Sequence, residues 1–205
     1  MTELNDRPQQ FLFRAETKQL LGILIHSLYK DREVFLRELL SNASDALDRL
    51  RFEALSRPEL IDADEKLEIW IESDPEQKTL TISDNGIGMS REEVIANIGT
   101  IAKSGTRELL QTLREKQSSD LLTTLIGQFG VGFYSAFMVA DRVTFVTRRA
   151  GEDTATQWES SGDGTFTIKE TSKFTRGTSI TLHLKTFEDD TETGDFADKW
   201  VISRI

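Results

Sequence analysis

Residues 84–89 read Asp-Asn-Gly-Ile-Gly-Met and follow directly on Leu80-Thr81-Ile82-Ser83, an alternating apolar and polar run. Alternation with period two is the pattern of a half-buried strand, so this chain places one carboxylate at a strand end. The main chain behind it is too glycine-rich to carry bulky side chains. Upstream, Leu67, Ile69 and Ile71 alternate with Glu68, Trp70 and Glu72, and Asp74-Pro75-Glu76 supplies a turn. Together the two runs predict an antiparallel hairpin whose second strand delivers Asp84.

The flanking segments read as helices and more strands. Phe11-Leu12-Phe13 is a short strand candidate. Thr17 caps a helix over roughly 18–30, with Leu20, Leu21, Leu24, Ile25 and Leu28 inward. A second helix over about 32–55 turns Phe35, Leu36, Leu39, Leu40, Ala43, Leu47 and Leu50 inward and ends at Ser56-Arg57-Pro58. Glu38, Asn42 and Asp45 stand at i, i+4 and i+7 on it, one stripe of acid, amide and acid. Ser90 with Glu93 forms a capping box for a helix through Val94, Ile95 and Ile98. Residues 99–126 are mixed and read as a segment over a pocket. An apolar helix over 133–139 precedes four strand-like runs at 142–149, 155–160, 164–171 and 178–185, with glycines between them. An acidic run at 188–195 leads to a helix from about Asp195 that reaches Ile205, which predicts a chain boundary inside a helix. The simplest reading is one α+β domain over 1–205, a two-layer sandwich. Its largely antiparallel, mixed sheet has helices over one face.

Composition narrows the chemistry. A net charge of −10 disfavours a general grip on nucleic acid, which needs clustered Lys and Arg, but leaves room for a small polyanion held by main-chain N–H groups and a metal. With no cysteine, disulfides, thiolate metal sites and cysteine catalysis are excluded. No apolar run approaches the 18 or more residues of a membrane span, and no signal peptide is visible, so a cytoplasmic location is expected.

Each element of the site has two readings. Asp84 at a strand end can accept a hydrogen bond from an exocyclic amine such as adenine's; Asp-Asn-Gly is equally a turn signal. Gly127, Gly130 and Gly132, spaced G-x-x-G-x-G before a helix, can aim N–H groups at phosphates or can serve close helix packing. No G-x-x-x-x-G-K-[ST] run occurs, so a P-loop is excluded. Asn42 offers a neutral oxygen of the kind magnesium accepts beside phosphates. Glu38 can take a proton from an attacking water, or can merely pair with an Arg one turn away.

In order along the chain stand a helix with acid, amide and acid, a strand-end Asp with glycines, a glycine-rich helix start, and Gly177-Thr178 on a late strand. That ordered set resembles the Bergerat-type ATP-binding fold shared by gyrase, the heat-shock protein 90 chaperones, histidine kinases and MutL. Within it, Phe35-Leu36-Arg37-Glu38-Leu39, Ser41-Asn42-Ala43-Ser44-Asp45-Ala46, Ile98-Gly99-Thr100-Ile101-Ala102-Lys103-Ser104-Gly105-Thr106 and Ile126-Gly127-Gln128-Phe129-Gly130-Val131-Gly132-Phe133 resemble the heat-shock protein 90 family, in its bacterial form, over residues from about 10 to the end.

The resemblance implies roles for individual residues. Glu38 is the expected general base for ATP hydrolysis, aided by Arg37. Asn42 holds Mg2+. Asp84 binds the adenine amino group, with Thr178 linked to it through water. Asp45, Ala46, Ile87, Gly88, Met89 and Asn97 line the nucleoside pocket. Gly130, Val131, Gly132 and Phe133 face the phosphates, and Lys103 stands at the start of a lid over about 99–127. It further implies a chaperone that acts on unfolded or partly folded clients in the stress response. The full-length protein would be a homodimer, its middle and C-terminal dimerisation domains lying outside this chain, and this piece alone would be a monomer. An arginine contributed from elsewhere can be worth about 10³–10⁵ in rate in phosphoryl transfer, so ATP binding with slow hydrolysis to ADP is expected here. Two alternatives share the fold: a histidine-kinase-type phosphotransferase and a nucleotide-sensing module without chemistry. An acid at position 38 counts against the first, whose members usually carry an amide there.

Overall fold

The computed structural model describes residues 7–13, 22, 32–62, 64–98, 132–186 and 196–204. Apart from Gly22, the helix expected over 18–30 lies outside them, as do the expected lid over 99–127, the residues Lys103, Gly130 and Val131, and the acidic run 188–195.

Seven strands form one sheet: β1 (Gln9–Leu12), β2 (Ile69–Asp74), β3 (Thr79–Asp84), β4 (Ala140–Arg148), β5 (Ala155–Ser160), β6 (Thr165–Thr171) and β7 (Gly177–Leu184). Their order is β1-β6-β5-β4-β7-β3-β2. Every pairing among the described residues is antiparallel, so the mixed character expected of the sheet is not found there. The α-helices among the described residues are α1 (Val34–Ala54), α2 (Arg91–Ile98) and α3 (Lys199–Arg204). They make the α+β architecture read from the sequence.

The helix α1 follows its apolar stripe. Phe35, Leu36, Leu39, Ala43, Leu47 and Leu50 are buried, joined by Val34, while Leu40 is only half-buried against the core. The capping box forms as expected: the Ser90 N–H donates to Glu93 Oε2 at 2.9 Å and the Glu93 N–H to Ser90 Oγ at 3.2 Å. Glu93 also takes Arg149 Nη1 at 2.8 Å, and Arg149 Nη2 reaches Glu53 of α1 at 2.7 Å. One guanidinium thereby ties α2, α1 and the end of β4.

Two expectations change. Residues 133–139 are not an α-helix but a 3₁₀ helix over Gly132–Met138, buried along its whole length. The Ser135 hydroxyl donates to the Gly132 carbonyl at 2.5 Å, an i to i−3 bond that suits the tighter pitch. The alternation over 67–72 does make a strand, but Ile71 and Trp70 are 40% and 44% exposed. β2 is the outermost strand of the sheet, and its side chains are half-buried or exposed throughout.

An aromatic cluster anchors the sheet's inner face. Trp158 is fully buried, stacked on Phe145 with centroids 5.1 Å apart and edge-on to Phe133 at 5.4 Å. A second, smaller apolar cluster joins Leu50, Leu60, Ile87 and Ala150. Among the described residues no helix is long and apolar enough to cross a membrane.

Candidate functional site

β3 ends at Asp84, which is 7% exposed. Its Oδ1 accepts the Gly86 N–H at 2.9 Å and the Thr178 N–H at 3.4 Å. Burial pushes its pKa up to about 6, against the opposing pull of those two N–H groups and of nearby Lys173. Among the described residues Oδ2 makes no hydrogen bond. The carboxylate therefore retains an acceptor beside the cavity that Asp84 lines.

The main chain around it is crowded. Gly177 has φ +93°, and a Cβ there would stand 2.1 Å from the Asp84 carbonyl oxygen. Gly88 has φ +65°, with the Arg148 carbonyl 2.0 Å from where its Cβ would be. Residues 85–90 are fastened on both sides. The Ile87 N–H donates to the Ala46 carbonyl at 3.0 Å, and the Ile87 carbonyl accepts the Ala150 N–H at 2.8 Å. Asn85 holds the chain before β2: its Oδ1 accepts the Glu68 N–H at 2.8 Å and its Nδ2 donates to the Lys66 carbonyl at 2.7 Å.

Asp84 lines a cavity of about 350 Å³ together with Asn42, Asp45, Ala46, Ile87, Gly88, Met89, Asn97, Phe133 and Thr178. The structure brings these predicted residues to one place from α1, α2, β3, β7 and the 3₁₀ helix. The cavity sits at the seam of the two apolar clusters, since its walls include Ile87 and Ala46 from the smaller one and Leu39, Ile82 and Phe145 from the larger. Mostly apolar walls with a few convergent polar groups are the usual make-up of a small-molecule site.

Glu38 lies beside the cavity rather than in its wall. It is pressed against the start of the 3₁₀ helix, where a Cβ on Gly132 would come 2.2 Å from Glu38 Oε2. Desolvation raises the Glu38 pKa, and the positive charge of the exposed Arg37 opposes it. Asn42, one turn on, is exposed and faces the cavity. Among the described residues there is no group of three or more His, Cys, Asp or Glu arranged to hold a metal. One amide oxygen is enough for a magnesium ion that arrives with phosphates and keeps its waters.

Sequence reading missed two residues here. Arg49 also lines the cavity, and it is the next position of the Glu38, Asn42, Asp45 stripe on α1. Thr147 is fully buried behind the cavity, in phase with Val143 and Phe145 on the inward face of β4. A hydroxyl on an apolar face was the available clue.

The family of histidine kinase-, DNA gyrase B- and HSP90-like ATPases matches residues 30–187. Among curated proteins, the chain is 55% identical over 193 residues to the Chaperone protein HtpG of Salinispora tropica, covering 94% of this chain and 30% of that protein. To that of Cupriavidus necator it is 61% identical over 180 residues, 87% of this chain and 28% of the relative. To that of Mycobacterium tuberculosis it is 51% identical over 202 residues, 98% and 31%. The chain thus spans about a third of the length of the curated relatives it matches. With the strand-end carboxylate, the α1 stripe and the cavity between them in place, this chain belongs to the histidine kinase-, DNA gyrase B- and HSP90-like ATPase family.

Proposed function

We propose that this chain is the ATP-binding and ATP-hydrolysing domain of a molecular chaperone. The observation that carries the reading is Asp84, a buried carboxylate with one oxygen tied down by two main-chain N–H groups and an acceptor left for a ligand in an apolar cavity. In this reading the adenine amine donates to Asp84 and the base lies against Met89 and Ile87. The phosphates extend past Asn42 toward Gly132, with the Gly130 and Val131 N–H groups and Lys103 completing their cradle. Asn42 holds Mg2+, which neutralises phosphate charge when bound. Glu38 is placed beside the phosphates' end of the site, and its raised pKa favours taking a proton from water. Arg37 steadies its charge.

The relatives named as chaperones support an action on unfolded or partly folded proteins, driven by ATP and by closure of the expected lid over 99–127. They weigh against the phosphotransferase and the purely sensing alternatives. We further propose that the longer protein is a cytoplasmic homodimer with middle and C-terminal domains beyond this one, that this piece alone is a monomer, and that it binds neither nucleic acid nor membrane.

A single sample of this chain with labelled Mg-ATP tests the core of the reading, by following bound nucleotide and ADP formed. The expected result is firm binding with slow conversion, conversion lost and binding kept in Glu38→Ala, and binding lost in Asp84→Asn. Unchanged ATP affinity in Asp84→Asn would remove the assigned adenine contact.

A further inference from the structure

Thr147 cannot touch a ligand, since it is fully buried and outside the cavity wall. Its hydroxyl nevertheless has a fixed set of partners. Oγ1 accepts the Met89 N–H at 3.0 Å. It lies 2.9 Å from Thr178 Oγ1, its cross-strand neighbour, and 3.4 Å from the Gly177 carbonyl.

A hydroxyl has one proton to give. The nearer acceptor is Thr178, and the Gly177 contact is at the long end of the hydrogen-bond range. With the Thr147 proton on Thr178 Oγ1, the Thr178 hydroxyl keeps its own proton for the cavity that it lines. In the reverse arrangement Thr178 donates to Thr147 and has only lone pairs left to offer.

Beside Asp84, a carboxylate acceptor, these two states read different bases. An acceptor next to a donor matches adenine, whose amine donor adjoins a ring-nitrogen acceptor. At the same positions guanine has a carbonyl acceptor next to a ring N–H donor, the opposite polarity. Two acceptors side by side instead match guanine's adjoining ring N–H and amine. A single bridging water passes the polarity on, because a water that accepts from Thr178 has both protons to give.

Resting on the nucleotide reading given above, we propose that Thr147 is a positioning residue for base selection: by donating to Thr178 it presents that hydroxyl as a donor beside Asp84, so the cavity takes adenine and rejects guanine nucleotides. The test is calorimetric binding of ADP and GDP to the whole chain and to Thr147→Val and Thr147→Ser. Valine keeps the shape and removes the hydroxyl; serine restores it. In Thr147→Val the Thr178 hydroxyl keeps its proton but loses the neighbour that directs it to the cavity, so the preference for ADP over GDP is expected to fall by about three- to tenfold, and to survive in Thr147→Ser. Proportional weakening of both nucleotides in Thr147→Val would overturn the proposal, because loss of packing moves both alike.

A second measurement needs no variant. In 1-deaza-ADP the ring-nitrogen acceptor is replaced by C–H, and the unaltered chain is expected to bind it about tenfold more weakly than ADP. Equal affinity overturns the assigned donor. If the unaltered chain binds neither ADP nor GDP, the nucleotide reading itself falls. If it prefers ADP and Thr147→Val keeps that preference, only the role of Thr147 falls.

Discussion

Asp84 is held ionised at neutral pH against its surroundings. Its folded pKa of about 6 exceeds the ordinary 3.8, so the folded chain holds its proton more tightly than the unfolded one. This group's contribution to stability is therefore full below 3.8 and lost as pH rises through about 6. The loss at pH 7 is about 3 kcal/mol. Asp84→Asn is expected to keep the Gly86 and Thr178 bonds through its amide oxygen and to stabilise the ligand-free chain by about 1–3 kcal/mol. Chemical denaturation at pH 7 measures this; a less stable variant would show that the carboxylate is not strained. Nucleotide affinity should run the other way. It should weaken as pH falls below about 6, by up to about tenfold per unit, as the acceptor takes a proton. Gly132→Ala probes the other carboxylate. The new methyl group meets Glu38 Oε2, a movable side-chain end, and more lightly its Cβ at 3.1 Å, so the fold is expected to survive and hydrolysis to fall at least about tenfold, more than nucleotide binding does. Single-turnover kinetics beside equilibrium binding separates the two effects.

At the scale of elements, the sequence was legible wherever a local rule acts alone. Ser90 and Glu93 announced their helix because a capping box is closed by residues three apart, and the structure closes it. Ser90→Ala should lower stability by about 1 kcal/mol, read from the denaturation midpoint at unchanged slope. The strands from 140 to 184 were legible because glycines punctuate them and burial alternates along most of β4, β5 and the first half of β6. What could not be read depended on neighbours distant in sequence. Ile71 alternates like a core residue but stands on an outermost strand. Residues 132–138 have the composition of an α-helix, and tertiary packing on every side, with the Ser135 bond, draws them into 3₁₀ pitch. The α1 stripe pointed to Glu38, Asn42 and Asp45 because helical periodicity is local. Thr147 stayed hidden because its partners, Met89 and Thr178, come from other segments.

The whole molecule is organised around a seam. The cavity takes its walls from α2, β3, β4 and β7, which carry the larger apolar cluster, and from Ala46 of α1 and Ile87, which belong to the smaller one. A ligand there joins both halves and binds only the folded chain. ADP at about 100 times its Kd should therefore stabilise the domain by about 2.7 kcal/mol, and the increment should vanish in Asp84→Asn. Thermal unfolding with and without nucleotide reads it directly.

The close approach of Gly177 to the Asp84 main chain, and of Gly88 to Arg148, has a consequence for drug resistance. No side chain fits at either position, because each would collide with a carbonyl oxygen that cannot swing aside. An inhibitor that rested on the main chain at Gly88 and Gly177 would meet two positions that no side-chain substitution can alter without displacing the backbone behind Asp84.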